Sequence, residues 1–242
     1  QNELRYDRFH EGSDRIFRVG FQGVVQGVER RSTHTGFPLA SEIQSIGGVQ
    51  ATLRMAVWKT FPVRYEDQAF TEDYLILADP NFFRFFSFDL VAGHPDSVLL
   101  GSRKVVITES AARKYFNYSG RGDLSPLGKT LVFAQGYRVT VSGIAADPPA
   151  HSHFHFTMLL SLESWETDDQ EKHDWITGRV ITYYKLFPGA RPDRAEIQIK
   201  SRLHGLLNQQ LENLRSTNLD AFKKQGNDLG YFIQPLHDIH LR

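Results

Sequence analysis

KVVITESAARKYF, residues 104–116, opens the stretch 104–162 that decides the fold of this chain. The β-branched run at 105–107 predicts a strand, and Thr108 stands where the N-cap of a helix would lie. Glu109 then favours the positive end of that helix. Apolar residues at spacings of three and four predict a helix over Glu109–Phe116 that packs back onto the strand.

Two more strands are predicted to follow this helix. Thr130–Phe133 and residues 137–144 read as strands joined by a turn at Ala134–Gly136. Asp147-Pro148-Pro149 ends the second strand, because prolines donate no hydrogen bond to a sheet. The resulting β-α-β-β order contains no obvious set of catalytic residues.

Flanking segments carry weaker patterns. A stripe of apolar residues predicts the clearest helix in the sequence, and it comprises Ala195, Ile199, Leu203, Leu206, Leu207, Leu211 and Leu214. Strands are predicted over 49–61, 63–70 and 74–78, with Pro62 as an interruption. Four phenylalanines should anchor a corner of the core: Phe82, Phe83, Phe85 and Phe86.

The order of several short segments resembles the MacB-like periplasmic core domain of FtsX-type ABC transporter permeases. These segments are VVIT, ESAARKYF, PLGKTL, SGI, DPP, SHFHF and LLSL, all within 104–162. The opening ELRYDRFHEGSDRIFRV and the closing LHDIHL fit the variety common in Bacteroidetes-like sequences. The resemblance covers most of the chain apart from residues 30–57 and 164–179.

The resemblance implies an α+β fold with two subdomains. A porter-like β-α-β subdomain would be formed from both chain ends, residues 1–96 and 175–242. A smaller, sabre-like mixed subdomain would be inserted between them at residues 97–174. The chain begins at Gln1 and ends at Arg242, and we expect it to be a segment excised from between the first and second transmembrane helices of a longer protein.

The function that the resemblance implies is noncatalytic. The domain would lie in the periplasm as part of an inner-membrane protein and couple ATP-driven movement of the membrane helices to export (efflux) or to a periplasmic partner. Implied partners are the membrane helices of the same permease, a second permease in a homodimer, a separate cytoplasmic ATPase subunit or domain, and a periplasmic adaptor or lipoprotein. No cofactor is implied.

The resemblance also implies a membrane-proximal junction at the chain ends. Its residues would be Leu4, Tyr6, Phe9, Asp238, Ile239, His240 and Leu241. Segments 4–11 and 236–241 should then lie close together in space.

Composition excludes several classes of protein. The chain has 242 residues, and its 28 basic side chains equal its 28 acidic ones, so no net field favours nucleic acid. The absence of cysteine excludes disulfides and thiol nucleophiles. No apolar run approaches the roughly 18 to 20 residues that cross a bilayer, so the chain as given is expected to be soluble.

His151, His153 and His155 carry the sharpest chemical pattern in the chain. Their alternation would place three imidazoles on one face of a strand, where they could bind a metal. No carboxylate is interleaved with them, and our prediction is that no metal site exists. A soluble metal-dependent hydrolase using this face is the alternative function, and a stand-alone periplasmic binding or adhesion module is a third.

Other motifs are incomplete. Gly128-Lys129-Thr130 departs from a phosphate-binding loop, because five residues separate Gly122 from Gly128 where the motif requires four. Residues 121–123 read as a loop rather than an adhesion motif. His237, Asp238 and His240 resemble part of a hydrolase site, but no G-x-S-x-G motif supplies the nucleophile.

Overall fold

The computed structural model describes residues 6–120 and 125–241, and in them strands and helices are mixed along the chain. The strands are β1 Ile16–Val25, β2 Val28–Ser32, β3 Val49–Tyr65, β4 Gln68–Ala78, β5 Leu90–Ala92, β6 Lys104–Thr108, β7 Thr130–Phe133, β8 Arg138–Ala145, β9 Met158–Ser161, β10 Ile181–Leu186 and β11 Asp228–Pro235. The helices are α1 Leu39–Gln44, α2 Phe82–Phe85, α3 Glu109–Phe116, α4 Pro192–Arg215 and α5 Leu219–Lys224. The predicted α+β class is confirmed.

The chain divides into two compact units, and both are discontinuous in sequence. The first unit contains described residues 6–11 and 55–166, and the second contains 12–54 and 167–241. These units begin and end at other residues than the predicted subdomains 1–96, 97–174 and 175–242. The porter-like and sabre-like assignment stays a prediction.

The second unit is a sheet covered by the long helix α4. Its strands are β11, β1 and β10 in that order, together with residues 49–54 of β3, whose remaining residues belong to the first unit. β2 pairs with residues 21–25 of β1. The predicted apolar stripe on α4 is buried in the core at Ala195, Ile199, Leu203, Leu207 and Leu211. Leu214, the last member of the stripe, also lies in α4 but is 67% exposed.

The first unit contains a ring of six strands. β3 pairs with β4, β4 with β9, β9 with β6, β6 with β8, β8 with β7, and β7 again with β3. The last pairing is short, since only Val63 and Arg64 of β3 face β7. The ring is therefore closed along only a small part of β3.

Pro62 does not interrupt β3, so the prediction of separate strands over 49–61 and 63–70 is wrong. The chain runs as one strand to Tyr65, and Tyr65 pairs with Gln68 across a two-residue turn. Pairs in an antiparallel ladder alternate between hydrogen-bonded and non-hydrogen-bonded, starting from the bonded pair at such a turn. Pro62 opposite Thr71 falls in a non-bonded pair, where its missing N–H costs nothing against β4.

Helix α3 begins and ends at the predicted residues. Its N-cap is Thr108, whose Oγ1 accepts a hydrogen bond from the Ala111 N–H at 3.3 Å. Asp147 adds a second cap, because its Oδ1 accepts from the Ser110 N–H at 3.1 Å. Burial alone would raise the pKa of Asp147, but its hydrogen bonds to Ser110 hold that pKa below its usual value.

The corner formed by phenylalanines is confirmed. Phe82, Phe83, Phe85 and Phe86 are all buried. Phe82 also stacks on Phe88 with ring centroids 5.6 Å apart, and it meets the edge of Phe156 at 5.9 Å. We call the rings of Phe82, Phe86, Phe88, Phe154 and Phe156 the phenylalanine cluster; it belongs to the first unit.

Candidate functional site

The three alternating histidines lie in an irregular segment before β9 rather than in a strand. Alternation of burial persists, because Ser152, Phe154 and Phe156 point inward while His151 and His155 are exposed. His153 differs from the other two, since its side chain is only 4% exposed. Within residues 6–120 and 125–241, no three or more His, Asp or Glu side chains form a group that could hold a metal.

His153 is paired with a residue from the beginning of the described chain. Asp7 is fully buried, and its Oδ2 lies 2.8 Å from His153 Nδ1. Its other oxygen, Oδ1, accepts a hydrogen bond from the His153 backbone N–H at 3.0 Å. The Asp7 backbone N–H donates to the carbonyl oxygen of His151 at 3.1 Å. One aspartate therefore joins segment 6–11 to segment 151–153.

A second pair of contacts continues this attachment. The Ser87 N–H donates to Nδ1 of His10 at 3.1 Å, and the Glu11 N–H donates to Oγ of Ser87 at 2.8 Å. His10 is 2% exposed, and its Nε2 lies 4.0 Å from Oδ1 of Asp7. We call Asp7, His10, Ser87 and His153 the N-terminal clasp.

The N-terminal clasp rests on the phenylalanine cluster. The His10 ring lies 4.9 Å from Phe86 and 5.0 Å from Phe88, and the His153 ring lies 4.3 Å from Phe154. Apolar rings exclude water from the ion pair of Asp7 and His153, and in such surroundings charges interact more strongly than in solvent. The clasp is therefore a polar attachment built on an apolar base.

The charge state of Asp7 follows from these surroundings. Burial by itself would raise its pKa, because it disfavours the charged carboxylate. The hydrogen bonds and charge of His153 outweigh burial, so the pKa of Asp7 lies below its usual value. The backbone of Asp7 is also held in the left-handed region, at a φ of 57°.

This geometry fits a structural role better than a catalytic one. A general base must come within hydrogen-bonding reach of its substrate. Asp7 and His153 are almost entirely shut off from solvent. Their arrangement holds the chain in place.

The C-terminal end of the chain is held within the second unit. Residues Leu236–Leu241 form a 3₁₀ segment directly after β11, and this segment contacts the 3₁₀ turn Ser13–Arg15. Nε2 of Gln234 donates to the carbonyl oxygen of Asp238 at 2.9 Å. Leu236 is buried at the base of this segment.

The membrane-proximal junction stays a prediction. Tyr6, Phe9, Asp238 and Ile239 are half-buried, and Phe9 packs 5.3 Å from the ring of His151. Leu4 and the side chains of His240 and Leu241 lie outside the described residues, as do residues 121–123. The expected approach of 4–11 to 236–241 also stays a prediction.

Sequence reasoning missed Asp7 and His10. The available signal was their presence in the opening ELRYDRFHEGSDRIFRV, one of the two flanking stretches that support the family resemblance. SHFHF, which contains His153, is another stretch of that resemblance. Asp7 of the first stretch and His153 of the second thus form one ion pair.

No helix of the described chain combines the length and apolarity needed to span a membrane. The MacB-like periplasmic core domain family matches residues 1–202. No curated protein matches the chain.

Solved structures show the same fold. A domain from Porphyromonas gingivalis, described as belonging to a permease, is 27% identical, with a TM-score of 0.72 over 94% of this chain and 92% of its own. The periplasmic region of MacB from Actinobacillus actinomycetemcomitans is 17% identical, with a TM-score of 0.60 over 100% of this chain and 97% of its own.

The extracellular domain of the noncanonic ABC-type transporter YknZ from Gram-positive bacteria is 15% identical, with a TM-score of 0.55 over 90% of this chain and 99% of its own. The similarities to the MacB and YknZ structures concern the fold, whereas the family match concerns the sequence itself. Because that match extends over well more than half of its residues, this chain belongs to the MacB-like periplasmic core domain family, the periplasmic part of ABC-transporter-type permeases.

Proposed function

We propose that this domain transmits ATP-driven movement of membrane helices to the periplasmic side of a permease, without catalysing a reaction itself. One observation carries the proposal: the two ends of the described chain belong to different compact units. Segment 6–11 belongs to the first unit, and segment 236–241 belongs to the second. Displacing one end relative to the other would therefore displace one unit relative to the other.

The N-terminal attachment is suited to transmit force. Segment 6–11 is tied at Asp7 to His153 and at His10 to Ser87, and both histidine rings contact the phenylalanine cluster. Segment 6–11 can move little relative to the first unit, because its hydrogen bonds are buried against aromatic rings and protein interiors are close-packed. A pull on residue 6 would reach the body of the first unit through the N-terminal clasp.

The C-terminal attachment is of another kind. Residues Leu236–Leu241 continue β11, which pairs with β1 from Phe17↔Pro235 to Val24↔Asp228. β11 is also packed against α4. A pull at 236–241 would be distributed along a strand ladder and its covering helix.

Gly12 lies where the chain passes from the N-terminal clasp into the second unit. Its φ of 64° is in the left-handed region that glycine adopts without strain. A few such residues at the end of an element can absorb the rotation of one body against another. Gly12 is our candidate for one point of flexion.

The partners in this proposal follow from the family. Membrane helices of the same permease would move the chain ends, a second permease copy would complete a dimer, and a cytoplasmic ATPase subunit or domain would supply the energy. A periplasmic adaptor or lipoprotein would receive the movement during efflux. The porter-like and sabre-like subdomains would be the parts that move.

Distance measurement in the full-length permease tests the proposal. This chain has no cysteine, so once any cysteines elsewhere in the permease are replaced, cysteines introduced for Val91 of the first unit and Ile197 of the second can be labelled selectively with a fluorophore pair. Both positions are exposed, at 50% and 69%. We expect energy transfer between them to change during ATP turnover.

The matched control places both labels in the second unit, at Val28 and Ile197. Val28 is 54% exposed, so its replacement should be tolerated as well. Energy transfer in this pair should stay constant during turnover. The proposal is wrong if the pair between units is equally constant while ATP is hydrolysed.

A further inference from the structure

The ring of strands in the first unit leaves an opening beside β3. β7 pairs with Val63 and Arg64 only, and then the chain turns away at Ala134–Gly136. A cavity of about 400 Å³ lies between this turn and Trp58 on β3. That volume is within the range of small-molecule sites, which often occupy the mouths of barrels.

Aromatic rings form the walls of this cavity. The rings of Trp58 and Trp165 lie with their centroids 6.3 Å apart and their planes tilted by 55°, and Phe133 and Tyr137 complete the walls. The floor is formed by the buried side chains of Leu77 and Leu160. Trp58 is 47% exposed, which is unusual for so large an apolar side chain. Such walls suit a flat, apolar guest.

A cation lies at the rim. The Arg103 guanidinium is 5.2 Å from the centroid of the Tyr137 ring, and the Arg103 N–H donates to Oγ of Ser164 at 2.8 Å. In the described part of the chain, no carboxylate lies within 4.0 Å of this guanidinium. The neighbouring Glu163 directs its Oε2 to the Gly101 N–H at 2.7 Å. Arg103 is exposed and available to an anion.

The backbone at the rim is strained at two positions. Arg103 has a φ of 61° and Gln135 a φ of 57°, although neither is glycine. The two residues come from separate loops, and both lie beside this cavity. Strained backbone of this kind concentrates at ligand-binding and other functional sites.

We propose that the cavity binds an anionic amphiphile. Its flat apolar body would lie in the cavity against the rings of Trp58 and Trp165, and its acidic group would meet Arg103. Charge complementarity selects this ligand over a cationic one, because Arg103 would repel a cation from the same aromatic walls. Binding here does not depend on the proposed transmission of movement, so either proposal can fail alone.

Two fluorescent probes that share an aromatic skeleton test the ligand class on the whole chain. Anilinonaphthalene sulfonate carries a negative charge, and phenylnaphthylamine is its uncharged counterpart. We expect the sulfonate to bind with one molecule per chain and more tightly than the uncharged probe. Fluorescence titration gives both dissociation constants.

Two variants locate the site. Trp58→Ala should weaken binding of both probes by about tenfold or more, since it removes one wall. Arg103→Gln should weaken binding of the sulfonate by about tenfold and leave the uncharged probe unchanged. Both side chains are exposed, so neither change opens the core.

Matched controls come from the same unit. Tyr74→Ala removes a ring that is also 47% exposed, on the neighbouring strand β4 but outside the cavity lining. Lys129→Gln removes an exposed cation away from the lining. Neither should change binding of either probe. The proposal is overturned if the sulfonate does not bind, if Trp58→Ala matches Tyr74→Ala, or if Arg103→Gln matches Lys129→Gln.

Discussion

The two ends of this chain are held by different physical means. The N-terminal segment 6–11 depends on the ion pair of Asp7 with His153 and on the contact of His10 with Ser87. The C-terminal segment 236–241 continues a strand whose sheet is covered by the apolar stripe of α4. One attachment is concentrated in a few buried polar atoms, and the other is spread over a hydrophobic core.

This difference has a consequence for how each attachment fails. Removing one partner of a buried ion pair leaves the other charge uncompensated, so a single substitution can break the N-terminal clasp. When one of the many apolar side chains in a core is truncated, the free energy of unfolding falls only by the contribution of that side chain. The first attachment should be sensitive to charge and the second to volume.

Substitution of Asp7 is the most direct test of whether the N-terminal attachment depends on charge. Asp7→Ala should lower the free energy of unfolding by about 3–5 kcal/mol, because it leaves His153 buried without its carboxylate. Urea denaturation followed by tryptophan fluorescence measures the change. The control Asp96→Ala removes an exposed ion pair with Arg84 and should have no measurable effect. Equal stability of the two variants would show that the N-terminal clasp does not hold the chain.

Truncation of a side chain in the α4 stripe tests whether the C-terminal attachment depends on buried apolar volume. Leu203 is fully buried, and Leu203→Ala should lower the free energy of unfolding by about 2–5 kcal/mol through lost burial and a residual cavity. Leu214→Ala, on the same helix but exposed, should change it by less than about 0.5 kcal/mol. The same denaturation measurement compares them. A small effect of Leu203→Ala would mean that α4 does not carry the C-terminal attachment.

The parts of the fold that depend on neighbouring residues could be predicted from the sequence. Thr108 and Glu109 mark the start of α3, and the helix begins and ends where this local chemistry places it. The α4 stripe follows from the helical period alone, apart from its exposed last member Leu214. Both predictions need information from only a few turns of chain.

The N-terminal clasp could not be predicted in this way. Asp7 and His153 are separated by 146 positions, and no local pattern distinguishes His153 from His151 or His155. Only the three-dimensional fold makes one of these histidines buried and leaves two exposed. The cavity poses the same difficulty, because Trp58, Tyr137 and Trp165 come from distant segments.

Pro62 illustrates a different limit. A proline weakens the prediction of a strand because its missing N–H removes a ladder bond. That bond matters only if the N–H would face a paired neighbour, and the answer depends on the register with β4. The presence of Pro62 therefore predicted a break in β3, although the register with β4 allows the strand to continue.

Acid titration tests the smallest of these effects, the contribution of the Asp7 charge alone. The pKa of Asp7 lies below its usual value of 3.8 in the folded chain, since the hydrogen bonds and charge of His153 outweigh burial. A carboxyl group with a lowered folded pKa stabilises the fold at every pH above its unfolded pKa. This contribution is lost as the pH falls through the folded pKa.

Comparison of the wild type with Asp7→Asn measures that contribution together with its coupling to His153 and His10. Asp147 and Asp174 also have lowered pKa values, but both proteins retain them, so their loss cancels in the difference. The difference in the free energy of unfolding attributable to the Asp7 charge should be fully present at about pH 5 and should shrink progressively below about pH 4. A difference that stays constant into strong acid would mean that hydrogen-bond geometry, and not the charge on Asp7, holds the N-terminal clasp together.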